Sequence, residues 1–365
     1  MTMPKLSVEG RVCARAASTD GQSRVAKLAV LRARYCSIAA GETIESVEEA
    51  ARRLEENRLV NYDASARQLS VASVRLLGRA LRSSTTIRIL NLWGAAIGIP
   101  GAEALGPWLG STTSLEGIDL RQNELGEHGM RLIAKGLEKN TTLLHLSLGS
   151  NAAGPCGVTA LADALVAAGH RSKIAILDLD SNDLGVAGGA QVARILVHSQ
   201  SLVHLNLSYN RLGDAGLALL APGVVASTCL ASLSIRCIGI SVIGASIFAD
   251  VIAGVPLHSV DLGQNDLGDD GARLFIAVLD RAPNLDTLNV TGSVSDDLAR
   301  EIQRKLDITR GRTFVDAEPR PNFLDFHRSE DYFFTLGRRT HPAAATEAAS
   351  PHTADLLFQL PRSHA

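Results

Sequence analysis

The stretch Leu115-Glu-Gly-Ile118-Asp-Leu120-Arg-Gln-Asn123-Glu-Leu125-Gly126-Glu-His-Gly129 decides the architecture. It opens with apolar residues at alternating positions, the period of a short strand, and passes through Asn123 and Gly126 into a helical pattern, Met130-Arg-Leu132-Ile133-Ala-Lys-Gly-Leu137. The same form recurs. Its first positions are Leu59, Ile87, Leu115, Leu143, Ile174, Leu202, Leu230, Leu257 and Leu285, at spacings of 28, 28, 28, 31, 28, 28, 27 and 28. A single strand-turn-helix unit cannot bury its own apolar face, whereas stacked units share one continuous core. Stacking sets the strands in a parallel sheet about 4.8 Å apart. Because a helix is wider than a strand, the sequence predicts an α/β solenoid, a horseshoe with its sheet inside and its helices outside.

Working outward along the columns, Asn123, Asn151, Asn182, Asn210 and Asn265 share one place, where an amide can satisfy backbone groups left unpaired as the strand turns away. Glycines at 98, 126, 154, 185, 213 and 268, with a second set three residues on, suit the tight turn into the helix and are not a phosphate loop. Composition agrees with a stack of small repeats: 46% of the 365 residues are hydrophobic but only 4% are aromatic, so the core is built from Leu, Ile, Val and Ala.

At these residues the chain resembles the ribonuclease-inhibitor-like class of leucine-rich repeats, a class also found in Ran GTPase-activating proteins, tropomodulin, NOD-like receptors and axonemal leucine-rich-repeat proteins. The resemblance implies a solenoid of about nine repeats that binds other proteins and catalyses nothing. It leaves the partner open, because the class serves many functions. Departures from the pattern mark places under other constraints. The Leu59 unit carries Tyr62, Ala64 and Arg67 where Leu, Leu and Asn are expected. The Leu230 unit has Ile238 at the Asn position, three extra residues precede Ile174 near Gly169-His170-Arg171, and the last unit has Ser293 in place of Asn.

The ends of a solenoid need cover. Residues 22–58 hold two runs at helical spacing, Val25 to Ile38 and Ile44 to Leu54, and are expected to form an N-terminal cap behind a flexible segment, 1–21. The solenoid is expected over 59–310. Residues 311–365 follow no repeat, yet hold six of the eight phenylalanines. A solvated tail is normally poor in aromatics, so this one is expected to dock, either on its own repeats or on a neighbour. Its candidate contact residues are Phe323, Phe326, Tyr332, Phe333, Phe334, Leu357 and Phe358.

Zincin, Walker, nucleophile-elbow and kinase motifs are absent from the sequence, and no cofactor or metal is expected. Five cysteines with no C-x-x-C pair suggest neither a disulfide framework nor a zinc site. A formal charge of −2 removes the drive to wrap nucleic acid, and no apolar run is long enough to span a bilayer. The expected partners are therefore proteins within a larger complex, with no nucleic acid and no membrane. Strand alternation points one column, Asp63, Asn91, Asp119, Ser147, Asp178, Asn206, Ser234, Asp261 and Asn289, into the concavity, flanked by further polar residues. From this floor the candidate partner-binding residues are Trp93, Asp119, Arg121, His145, Asp178, Asp180, His204 and Arg236. Asp, Asn and Ser are common in the central column whatever the partner, whereas Trp93 and Arg121 are of the types that anchor interfaces.

The repeat class suggests a structural subunit of the ciliary or flagellar axoneme or another cytoskeletal assembly in the cytoplasm. A second reading is a small-GTPase regulator resembling Ran GTPase-activating proteins, although the acidic segment that usually follows their repeats is missing. The first forty residues are basic and lack a secretory h-region, which leaves a mitochondrial presequence as the alternative address.

Overall fold

In a computed structural model of the chain, residues 46–309 are described, together with Ala26 and Ile44. They lie within one compact unit, residues 1–318. A short helix, α1 (Val47–Glu55), precedes nine strand-helix units: β1 (Asn61–Asp63), α2 (Val71–Ser83), β2 (Ile89–Asn91), α3 (Gly98–Leu109), β3 (Gly117–Asp119), α4 (Gly126–Leu137), β4 (His145–Ser147), α5 (Gly154–Ala168), β5 (Ile176–Asp178), α6 (Gly185–His198), β6 (His204–Asn206), α7 (Gly213–Ala226), β7 (Ser232–Ser234), α8 (Val242–Gly254), β8 (Ser259–Asp261), α9 (Gly268–Val278), β9 (Thr287–Asn289) and α10 (Asp296–Thr309). The strands form one parallel sheet in chain order, β1 to β9. This is the expected α/β solenoid.

The central residue of each strand, such as Leu90, Ile118, Leu146, Leu177 and Leu205, is fully buried against the helices. Register then fixes the columns: Asp119 pairs with Ser147, Ser147 with Asp178, and Asp178 with Asn206. Among the core aromatics, Trp108, Phe248 and Phe275 sit on helices, while Tyr62 fills the central position of β1. Helices stack closely enough that a Cβ on Gly136 of α4 would lie 2.1 Å from the Gly106 carbonyl of α3.

The turn after each strand is strained, and the asparagine column holds it. Around Asn123 the backbone takes left-handed φ at Gln122 (+53°), Glu124 (+54°) and Gly126 (+58°), a region that costs non-glycine residues about 1–2 kcal/mol each. Buried side-chain bonds offset this. The Asn151 amide donates to the carbonyls of Leu120 (2.9 Å), Leu148 (2.9 Å) and Gly149 (3.1 Å), while its oxygen accepts from Asn123 N (3.0 Å). Asn151 N in turn donates to Asn182 Oδ1 and Asn182 N to Asn210 Oδ1, both at 3.0 Å, so the asparagines form a ladder.

The departures fit this ladder. Ile238 gives only its backbone: Gly213 N donates to its carbonyl at 2.8 Å. Ser293 substitutes in miniature, its hydroxyl accepting from Asn265 N and donating to the Leu262 carbonyl, each at 2.8 Å. The three inserted residues form a 3-10 turn, Gly169–Arg171. At the start, Arg67 donates to the Ile44 carbonyl, tying the segment before α1 to the first unit. Helix α1 is capped by Ser46 Oγ, which accepts from Glu49 N at 3.1 Å, and it buries Val47, Ala50, Ala51 and Leu54. The first of the two expected cap helices, apart from the helical Ala26, and the whole aromatic tail, Phe323, Phe326, Tyr332, Phe333, Phe334, Leu357 and Phe358, lie outside the described residues.

Candidate functional site: the open face of the sheet

Strand residues that point away from the helices form three columns on the open face of the sheet. The first runs Asn61, Ile89, Gly117, His145, Ile176, His204, Ser232, Ser259, Thr287, and the second holds the acidic and amide residues from Asp63 to Asn289. The third lies two residues beyond the second, just after the strands, and includes Trp93, Arg121, Gly149, Asp180, Ser208, Arg236 and Gly263.

Much of the second column is spent on the backbone. Asp119 Oδ1 accepts from Arg121 N (3.0 Å), Asp178 Oδ1 from Asp180 N (3.2 Å), and Asn91 Oδ1 from Trp93 N (3.1 Å), each an Asx turn that ends its strand. Asp119 is wholly buried and Asp178 nearly so. A buried carboxylate needs a partner. For Asp119 this is the Arg121 guanidinium, which donates through Nη2 at 2.6 Å and Nε at 3.1 Å. Asp178 accepts from Asn206 Nδ2 at 2.8 Å.

The two candidate histidines lie at different depths. His204 is only 2% exposed, its Nδ1 bonded to Ser232 Oγ at 2.9 Å. His145 is half-buried, with Nε2 3.0 Å from Ser147 Oγ. Between them in register lies the apolar Ile176, with Asp178 in the neighbouring column. Among the described residues no group of three or more His, Cys, Asp or Glu is arranged to hold a metal ion.

The third column carries what the surface presents. Trp93, Arg121, Asp180 and Arg236 are each partly exposed. Two glycines make room for them. A Cβ on Gly149 would lie 2.0 Å from Asp180 Oδ1, and one on Gly263 would lie 2.6 Å from Arg236 Nη1. Gly149 stands between Arg121 and Asp180 in the column, so the gap it leaves puts cation and carboxylate in one electrostatic cluster. Burial, then the charge of Asp178 and a hydrogen bond with it, push the Asp180 carboxyl up to about 7, against the opposing pull of Ser181 and Arg121. The pair Asp178 and Asp180 therefore holds a proton at a pH where an exposed aspartate would not. Burial also raises Asp261, opposed by the Gly263 N–H, Arg236 and Asn289.

A second cluster was not foreseen. Arg236 Nε donates to Tyr209 Oη and Gln264 Oε1, both at 3.2 Å, and Tyr209 Oη donates to Gln264 Oε1 at 3.1 Å. Tyr209 is 49% exposed. Tyr209 and Gln264 occupy the left-handed turn position that also holds Gln122, Ser150, Ser181 and Cys237. An aromatic in a column of otherwise small or polar residues is the sequence signal that marks it.

The leucine-rich-repeat family model matches residues 139–162, 198–221 and 256–275. Among curated proteins no sequence relative matches. Solved structures of similar fold include the leucine-rich-repeat protein LegL7 from Legionella pneumophila (18% identity, 71% of this chain and 90% of that one, TM-score 0.42). They also include the tropomodulin C-terminal domain of Caenorhabditis elegans (15%, 41% and 89%, 0.36) and actin-binding site 2 of leiomodin-1 (15%, 43% and 90%, 0.37). With nine strands in unbroken register, the described residues form a leucine-rich-repeat α/β solenoid. Its repeats are of the ribonuclease-inhibitor-like type, a strand of three residues followed by a full α-helix. Domains of this family typically bind proteins and are generally non-catalytic. No helix among the described residues is long and apolar enough to cross a membrane.

Proposed function

We propose that this chain is a non-catalytic protein-binding scaffold whose third floor column makes the contact. The observation that carries the reading is the row of partly exposed side chains Trp93, Arg121, Asp180 and Arg236, with Tyr209 joining it from the adjoining turn position, and with Asp180 and Arg236 seated over glycine gaps on an otherwise hydrogen-bonded floor. Trp, Tyr and Arg are the residue types that most often anchor interfaces. Asp119 and Asp178 act beneath that row, fixing its backbone and charge, and His145 and His204 lie in the first column at its margin.

The finer setting is a large assembly, cytoskeletal or axonemal, and rests on the repeat class alone. In this reading the aromatic tail with Phe323, Phe326, Tyr332, Phe333, Phe334, Leu357 and Phe358 is a second contact. Capture of partners from extract by the full chain, a Trp93→Ala/Arg236→Ala variant and a truncation after Leu336 separates the contributions. The double variant is expected to lose most of the capture while keeping its fold, since neither residue is core. Undiminished capture by that variant, with loss on truncation, moves recognition to the tail. Full release of the protein from cytoskeletons by salt counts against the cytoskeletal setting.

A further inference from the structure

The sheet's open face is not the only polar surface. On α2, Arg75, Arg79 and Arg82 recur at i, i+4 and i+7, so they stand on one side of the helix. With Pro100, Glu103 and Ala104 of α3 they line an open groove of about 400 Å³. The helices are close at its base: a Cβ on Gly78 would lie 2.7 Å from Ala104 Cβ. All three arginines are exposed and none has an ion pair or side-chain hydrogen bond within the described residues. Nearby arginines do: Arg52 and Arg53 with Glu49, Arg58 with Glu56, and Arg88 with Glu116.

Folding gives no reason for this arrangement. Helix α2 contains no acidic residue, and like charges at i, i+4 cost a helix about 0.2–0.5 kcal/mol per pair. Guanidinium groups left free along a groove are a ready receptor for carboxylates or phosphoryl groups, which they bind through two parallel hydrogen bonds. The positions span about 10 Å along the helix axis. Side chains on one edge of an extended peptide recur about every 7 Å, so two acidic residues at i and i+2 fall across the three arginines.

We propose that the α2–α3 groove binds an extended acidic segment of a partner protein, with carboxylates at alternate positions meeting Arg75, Arg79 and Arg82. Glu103, on the opposite wall, favours a peptide over a uniformly anionic surface, because it repels a continuous field of negative charge and accepts from a backbone N–H or a cationic side chain. This site is separate from the open face of the sheet and does not rest on the function proposed for it.

The test is fluorescence anisotropy of the full chain with a labelled peptide of about twelve residues in which Glu alternates with Ser. An isomeric peptide with all Glu in one block, anionic vesicles and duplex DNA serve as competitors. Arg75→Ala/Arg79→Ala/Arg82→Ala is expected to weaken binding by roughly tenfold or more, and the triple Lys variant by less, because Lys keeps the charge and loses the fork. Alanine raises helix propensity at all three positions, so the variant folds, as circular dichroism checks. Binding should fall steeply with salt, and Glu103→Ala should strengthen it for the block peptide more than for the alternating one. Equal affinity of the wild type and the triple Ala variant overturns the proposal. So does absence of binding to the alternating peptide, or stronger competition by vesicles or DNA.

Discussion

Two columns of side chains run beside each other just past the strands, and they do opposite work. Asn123, Asn151, Asn182, Asn210 and Asn265 face inward, buried, each amide tied to backbone in its own unit and in the adjacent ones. Two residues earlier, Arg121, Gly149, Asp180, Ser208 and Gly263 lie on the open face, and no residue type is repeated as a rule. The first column answers a demand that every unit makes, because each turn exposes the same unpaired amides and carbonyls. The second answers no common demand and is free to vary. Architecture is written where the repeat is monotonous, and recognition where it is not.

The largest expected effect breaks the monotonous column. Asn151→Ala removes three donated bonds and the acceptor for Asn123 N and Leu125 N, all buried, while the turn around it remains left-handed at Ser150 and Ala152. Orphaned buried groups cost about 1–3 kcal/mol each, partly relieved by water entry, so a loss of about 3 kcal/mol in urea denaturation is expected. A loss under about 1 kcal/mol would mean the ladder is incidental to the turn. Ile238 already shows that one unit does without the amide, which is why a single deletion weakens the stack rather than abolishing it.

The next effect sharpens the boundary between the columns, since one open-face residue also serves the architecture. Arg121 neutralises Asp119, which is fully buried. Arg121→Ala strands that carboxylate and should cost about 2 kcal/mol, less than for a fully enclosed pair because the guanidinium is 26% exposed. Asp119→Asn in the same chain should restore part of the loss, and a double-mutant cycle reads the coupling. If the two losses simply add, the pair is not what holds Asp119 in place. Arg236→Ala carries no such cost, since Asp261 keeps the Gly263 N–H at 2.8 Å and Asn289 at 3.0 Å.

These cases explain what could be read from sequence. Period 28 and strand alternation give the solenoid, the column register and the structural role of the asparagines, because each rests on a repeated demand of backbone and core. The Ser293 substitution and the Ile238 gap are visible as departures, but whether a hydroxyl can stand in for an amide depends on a few tenths of an ångström. Side-chain fate on the open face was less legible. Strand alternation correctly points Asp119, Asp178 and His204 away from the helices, yet all three are buried: Asp119 pairs with Arg121 of its own unit, while Asp178 and His204 bond to Asn206 and Ser232, each 28 positions away on the next strand. Glycines at 149 and 263, which the repeat pattern does not single out, make room for Asp180 and Arg236. The tyrosine-arginine-glutamine cluster required three residues from three units to be seen together.

The smallest effect probes the charge of the open face. Asp180 keeps its proton to about pH 7 in the folded chain but gives it up near pH 4 when unfolded. Between those values the folded state binds more protons than the unfolded one, so this group's contribution to stability is fullest below pH 4 and declines as pH rises, levelling above 7. Asp180→Asn cannot titrate. The stability difference, variant minus wild type, should therefore rise from pH 5 to pH 8. Solvent on the open face limits the change to the order of 1 kcal/mol. Asp261 moves in the same direction and Asp269 in the opposite one, where the Ser295 backbone N–H lowers its carboxyl, but both are common to the two chains and cancel. A difference that stays flat across this range would place the proton elsewhere than on the Asp178 and Asp180 pair. A rising one would mean that a partner bringing a cation to this spot gains affinity as Asp180 ionises, which ties recognition on the variable column to pH while the asparagine ladder beneath stays indifferent to it.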